Sequence, residues 1–190
     1  PWWYAYIPGR KTPLTLEFLT EALERVAGDP AVKGVVFLAK GPSLSLAQAQ
    51  SLAMLFARFR QWDQKHNGTA PGQGKQIHLH LEQITTPLYV AACAADHIYC
   101  TPLTTWEVLG LRTMPTFFKQ TLDKLGVSVD VVRVSPWKSA ADQFSLAAMS
   151  PEQEEQLTWL LDSWYADIVD AISEGRKLAP EVVRALIDGA

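Results

Sequence analysis

The chain has 190 residues, of which 48% are apolar and 19% charged, and its net charge is −3. Those values describe a folded globular chain long enough to bury a core and exclude a disordered one. The longest Lys/Arg run is Arg10-Lys11, so there is no basic stripe for nucleic acid, and no stretch reaches the ~18 uninterrupted apolar residues of a membrane helix.

In chain order, "WWYAYI" (2–7) reads as an aromatic strand, for a core or subunit contact or a membrane-interface belt. Residues 15–27 read as an amphipathic helix with Leu16, Leu19, Leu23 and Val26 on one face, stopped by Gly28-Asp29-Pro30. "GVVFLA" (34–39) is a continuous apolar run, expected as a strand covered on both faces. Residues 45–65 keep helical spacing through Leu52, Leu55, Phe56 and Phe59, and 66–75 form a loop rich in Gly and Pro. "QIHLHLE" (76–82) is the next strand. Thr86-Pro87 is an N-cap followed by proline at the first helical position, opening a helix to about Ala95.

"HIYC" (97–100) then reads as a strand, 115–125 as a helix closed by Gly126, and "VSVDVVRV" (127–134) as a β-branched strand. Ser150-Pro151-Glu152-Gln153 has the form of a capping box. The helix it starts should run to about Glu174 and bury Leu157, Leu161, Trp164, Ile168 and Ile172. Pro180 opens a last short helix. Strands alternating with helices imply a single α/β domain over residues 1–190, with mostly parallel pairing and crossover helices. The chain starts at Pro1 and stops after "ALIDGA", which suggests a piece of a longer tandem-domain protein, with any signal or anchor segment outside it.

Several residues invite a chemical reading. His78, His80 and Glu82 alternate along one strand and share a face, a geometry open to a metal and equally to a polar strip. Asp96 and His97 are adjacent and should face opposite ways, which argues against an acid–base pair. Cys93 and Cys100 lack CxxC spacing, so they imply neither a zinc site nor a disulfide and read as two buried free thiols. The phosphate-loop, zinc-protease and hydrolase-elbow strings GxxxxGK[ST], HExxH and GxSxG do not occur, and no cofactor or metal is implied.

Lys138 stands apart. It follows Ser135-Pro136-Trp137 and precedes Ser139-Ala140-Ala141, among few polar neighbours. By composition it is a solvated lysine at a strand-to-helix junction. As a general base it would have to be neutral near pH 7, a pKa drop of about 3 from ~10.4, or roughly 4 kcal/mol of differential solvation. Burial against Trp137 and the alanines favours that, whereas a charged Asp142 one turn on opposes it. A lysine base acts on a nucleophile such as a serine hydroxyl.

The blocks "VKGVVFLAKGPS" (32–43), "AADHIYCTP" (94–102), "LDKLGV" (122–127), "WKSAADQF" (137–144) and "MSPEQEE" (149–155) stand in the order and spacing of the signal peptide peptidase A, or protease IV, family. The chain resembles the lysine-bearing N-terminal half of a long-form member. The resemblance implies a ClpP/crotonase-like α/β fold and a Ser-Lys dyad that hydrolyses remnant signal peptides, with Lys138 at the general base. At the family's nucleophile segment, Ser-Gly-Gly-Tyr-Tyr, this chain has Thr85-Thr86-Pro87-Leu88-Tyr89, and at the oxyanion segment it has Gly41-Pro42-Ser43-Leu44. Neither keeps the glycines that bring backbone N–H groups to a reacting carbonyl. The resemblance therefore implies a serine in a second, C-terminal homologous half and an isolated chain that is inactive. It further implies a homo-oligomer, membrane-associated through a segment absent here and extracytoplasmic, with the chain itself soluble. The other reading is a degenerate scaffold or substrate-binding half.

Overall fold

The computed structural model describes residues 15–41, 43–70 and 72–189, so the aromatic segment 2–7 lies outside the described residues. The chain divides into two compact units, one comprising the residues up to Leu109 together with those from Ala171 on, the other Gly110–Asp170.

The first unit is built around a three-stranded parallel sheet in the order β1-β2-β3, with β1 at Gly34–Ala39, β2 at Gln76–Thr85 and β3 at His97–Glu107. Three helices connect or precede these strands: α1 at Leu16–Gly28, α2 at Leu46–Asn67 and α3 at Thr86–Cys93. Helices α1 and α2 each start where a local side chain satisfies an orphan backbone group. Thr15 Oγ1 accepts from the Phe18 N–H at 3.1 Å. Ser45 and Gln48 form a reciprocal capping box, and Gly68 ends α2 at φ 65, a left-handed conformation that glycine adopts without strain. The core joins Leu23 and Ala27 of α1, Leu55, Phe56 and Phe59 of α2, Ile77, Leu79, Leu81 and Ile84 of β2, and Leu88 and Val90 of α3. Phe56 and Phe59 have no exposed surface, and burial of such a side chain stabilises by about 1.5–3 kcal/mol.

The sheet departs from expectation on β1. Phe37 turns inward and its ring meets Phe56 at 5.1 Å, whereas Val36 and Leu38 are 66% and 65% exposed. These two are in register with His78 and His80 of β2, so the helices cover one face and, among the described residues, the other face stays open. Strand β3 runs seven residues past Cys100, to Glu107. Its pairing with β2 jumps from Leu81↔Cys100 to Gln83↔Thr105, so the run containing Pro102 loops out of the ladder and its missing N–H costs no bond.

The second unit contains α4 at Lys119–Lys124, a 3₁₀ turn at Ser139–Ala141, α5 at Asp142–Ser145 and most of α6, which spans Pro151–Arg176. Helix α4 is shorter than the predicted 115–125. The Phe118 N–H is held by the Gln143 carbonyl at 2.6 Å, and the Phe118 and Phe144 rings stack at 6.0 Å, so the helix begins only after this anchor. Residues 127–134 form no strand, because this unit holds no strand to pair with them, and Val132 and Val134 are 95% and 92% exposed. The expected α6 stripe is buried at Ile168 and Ile172, only half-buried at Leu157 and Leu161, and exposed at Trp164.

Helix α7 at Pro180–Asp188 closes the first unit and buries Val183 and Ile187. The end of α6 approaches α3 closely within that unit. A Cβ at Gly175 would overlap the Cys93 carbonyl, so only glycine fits at this crossing.

Candidate active site

Lys138 lies in the second unit, just ahead of the 3₁₀ turn, and is exposed. Its N–H donates to the Ser135 carbonyl at 3.1 Å, a tight turn that Pro136 favours by its fixed φ. The backbone is gripped on both sides of the lysine from α6. Gln156 Nε2 donates to the Trp137 carbonyl at 3.1 Å, and Ser139 Oγ donates to Gln156 Oε1 at 3.3 Å.

The base of the same loop is closed by a buried charge. Asp142 has no exposed side-chain surface, and its Oδ1 pairs with the Arg133 guanidinium. Ser150 Oγ donates to Asp142 Oδ2 at 2.9 Å and accepts from the Gln153 N–H at 3.3 Å. Ser150 thus ties Asp142 to the first turn of α6. The predicted capping box is only half made, because Gln153 Oε1 is buried without a partner. Asp142 spends its charge on Arg133, and among the described residues no carboxylate pairs with Lys138. Trp137 is 44% exposed and Ala140 is exposed, so the unit itself provides little desolvation of the amine.

In the first unit, Thr85 is half-buried and is the N-cap of α3, one residue earlier than predicted, with no side-chain capping bond. Thr86 instead bonds across to β3's end, its Oγ1 accepting from the Leu109 N–H at 3.0 Å. Ser43 and Leu44, from the segment matching the family's oxyanion loop, line an apolar cavity of about 680 Å³ together with Phe37, Leu52, Leu79 and Leu88.

The other candidates resolve into structural roles. The His78 ring stacks on His97 at 4.8 Å, and no group of three metal-ligating side chains occurs among the described residues. Asp96 accepts from the Ile77 N–H at 2.7 Å and pairs with Arg60 at 3.0 Å, so it ties β2 to α2 instead of serving His97. Cys93 is buried as expected and burial pushes its thiol up to about 12, against the opposing pull of Arg176. Burial also raises the neighbouring Tyr89 phenol, helped by Cys93. Cys100, expected buried, is exposed: it falls where β3 leaves its ladder with β2. Gln156, Arg133 and Ser150 carry the architecture around Lys138, and nothing in the residue pattern marks the first two beyond their polar type.

Residues 72–190, more than half of the chain, match the sequence profile of peptidase family S49. The chain is 25% identical over 175 residues to "Serine protease SPPA, chloroplastic" of Arabidopsis thaliana, covering 92% of this chain and 24% of that protein. It is 26% identical over 159 residues to "Protease 4" of Haemophilus influenzae, covering 83% of this chain and 24% of that one. A 31% identity over 121 residues relates it to "Protease 4" of Salmonella typhi, covering 61% of this chain and 19% of the relative. The chain thus spans about a quarter or less of the length of these curated relatives. Parallel strands joined by helices make the first unit α/β, in keeping with the ClpP/crotonase-like fold of this family. The chain belongs to peptidase family S49.

Proposed function

We propose that this chain is the lysine-bearing half of a serine peptidase, with Lys138 as its general base. The neutral amine takes the proton from a serine hydroxyl as the serine oxygen bonds to the scissile carbonyl carbon. The resulting ammonium gives that proton to the leaving amine as the C–N bond breaks, and water repeats the cycle on the acyl-enzyme. The serine and its oxyanion donors come from a second, homologous half beyond this chain, because Thr85-Thr86-Pro87 and Gly41-Pro42-Ser43 lack the glycines such donors need. Remnant signal peptides are the substrate. The working form is a homo-oligomer, membrane-associated through a segment outside this chain and facing the extracytoplasmic side. Among the described residues no helix is long and apolar enough to cross a membrane.

The observation that carries the reading is Lys138 itself: an exposed amine without a carboxylate partner among the described residues, in a loop fixed by Gln156 and by the Arg133–Asp142 pair. The second half would cover it and supply the desolvation that the lysine's own unit lacks. The same exposure favours a second reading, a degenerate scaffold or substrate-binding half in which Lys138 stays solvated. Peptide hydrolysis by the full-length protein separates the two. Lys138→Ala should reduce the rate to background with circular dichroism and oligomer size unchanged; an unchanged rate would leave the scaffold reading standing. The isolated chain should resist labelling by a serine-reactive phosphonate.

A further inference from the structure

The lysine loop is held by one side chain that has no other partner among the bonds described. Gln156 uses its amide donor on the residue before Lys138 and its acceptor on the residue after it. Both ends of the amide are committed, so the side chain gives up most of its rotamer freedom at an exposed position on α6, where a glutamine would otherwise stay solvated. The Lys138 N–H is tied in turn to Ser135, and the loop's ends meet at the Arg133–Asp142 pair. The chain is thus tied on both sides of Lys138 and at its own N–H.

We propose that Gln156 is a positioning residue for Lys138, setting the direction in which the amine leaves the loop. The inference rests on Lys138 acting as the general base. A base must lie within about 2.6–3.2 Å of the hydroxyl it deprotonates. A displacement of about 1 Å can cost on the order of 100-fold in rate. Arg133 and Asp142 anchor only the ends of the loop, whereas Gln156 acts at the lysine itself. Loss of its amide frees the Trp137 carbonyl and the Ser139 hydroxyl together and lets the peptide groups around Lys138 rotate.

The test is steady-state hydrolysis of a fluorogenic peptide by the full-length peptidase, comparing wild type, Gln156→Met, Ser139→Ala and Lys138→Ala, with Glu155→Gln as an exposed control on the same helix. Methionine keeps the length of glutamine and makes neither bond. The expected result is a kcat lowered on the order of 10- to 100-fold in Gln156→Met with KM within about twofold of wild type. Ser139→Ala, which removes one of the two bonds, should show a smaller loss, and Glu155→Gln none. A wild-type kcat in Gln156→Met beside an inactive Lys138→Ala would overturn the positioning role and leave the base assignment intact. A raised KM with unchanged kcat would also overturn it, by making Gln156 a substrate contact. Should Gln156→Met fail to fold, a well-folded Ser139→Ala with wild-type kcat would decide against the proposal. An active Lys138→Ala would remove the base assignment and the inference with it.

Discussion

The Arg133–Asp142 pair sets an asymmetric test of how the lysine loop is held. Asp142 has no exposed side-chain surface, whereas 27% of the Arg133 side chain remains in contact with water. Removal of one partner from a fully buried pair costs about 3–5 kcal/mol, most of it the charge left stranded. In Asp142→Asn the stranded charge is the guanidinium, which can turn toward solvent, so the expected loss is about 2 kcal/mol. In Arg133→Met the stranded charge is the Asp142 carboxylate, left with only the Ser150 hydroxyl, and the loss should approach 3–4 kcal/mol. The double variant strands neither, so its loss should fall short of the sum by about 1.5–2 kcal/mol. Urea unfolding at pH 7 gives each value, provided that m is unchanged. In a chain of this size each 1 kcal/mol also lowers Tm by about 2–4 °C, so Arg133→Met should melt roughly 6–16 °C below wild type. Equal losses from the two single variants would contradict the burial asymmetry. Losses additive to within about 0.5 kcal/mol would show that the two side chains do not interact, and the loop would then have no closed base.

Two further outcomes follow from the first unit. Burial raises the Asp63 carboxyl, but the Lys75 N–H at 3.0 Å, the amide of Asn67, the Lys75 ammonium at 3.2 Å and the Thr69 hydroxyl outweigh it, and the net pKa lies below the ordinary 3.8. A depressed folded-state pKa means that the ionised form stabilises the fold above pH 3.8 and that this stability is lost as the pH falls through the lower folded value. Asp63→Asn, which leaves the buried Lys75 ammonium with the Ala27 carbonyl but no counter-charge, should cost about 3–5 kcal/mol at pH 7, and the gap to wild type should narrow below pH 4; a gap independent of pH would refute the assignment. The two thiols should differ in reactivity toward a disulfide reagent at pH 8. Cys100 is exposed and should react under native conditions, whereas Cys93, buried and pushed up to about 12, should react only on unfolding, so native Cys100→Ser should show no reactive thiol.

Where the chain's own local chemistry decides a structure, the sequence carries it. Thr15, Ser45 and Pro180 open helices, Gly68 closes one, and the apolar spacing of α2 delivers Leu55, Phe56 and Phe59 to the core. Where a partner decides, the sequence fails in a consistent way. The β-branched run 127–134 has strand propensity, but a strand exists only by pairing, and its unit offers no edge. Val36 and Leu38 look like core residues because they are apolar, yet whether a sheet face is covered depends on elements elsewhere. The candidate site divides along the same line. Physical reading of the residues leaves Lys138 a solvated amine, in agreement with its exposure, and its catalytic assignment comes from the family blocks around it. Asp142 was visible only as a charge one turn from the lysine; its spatial partners Arg133 and Ser150, like the grip of Gln156 from 17 and 19 residues away, come together only on folding. Such a loop fixes where an amine stands without making it a base. The environment that would make Lys138 a base has to come from surface outside its own unit, which is why the decisive experiments belong in the full-length protein.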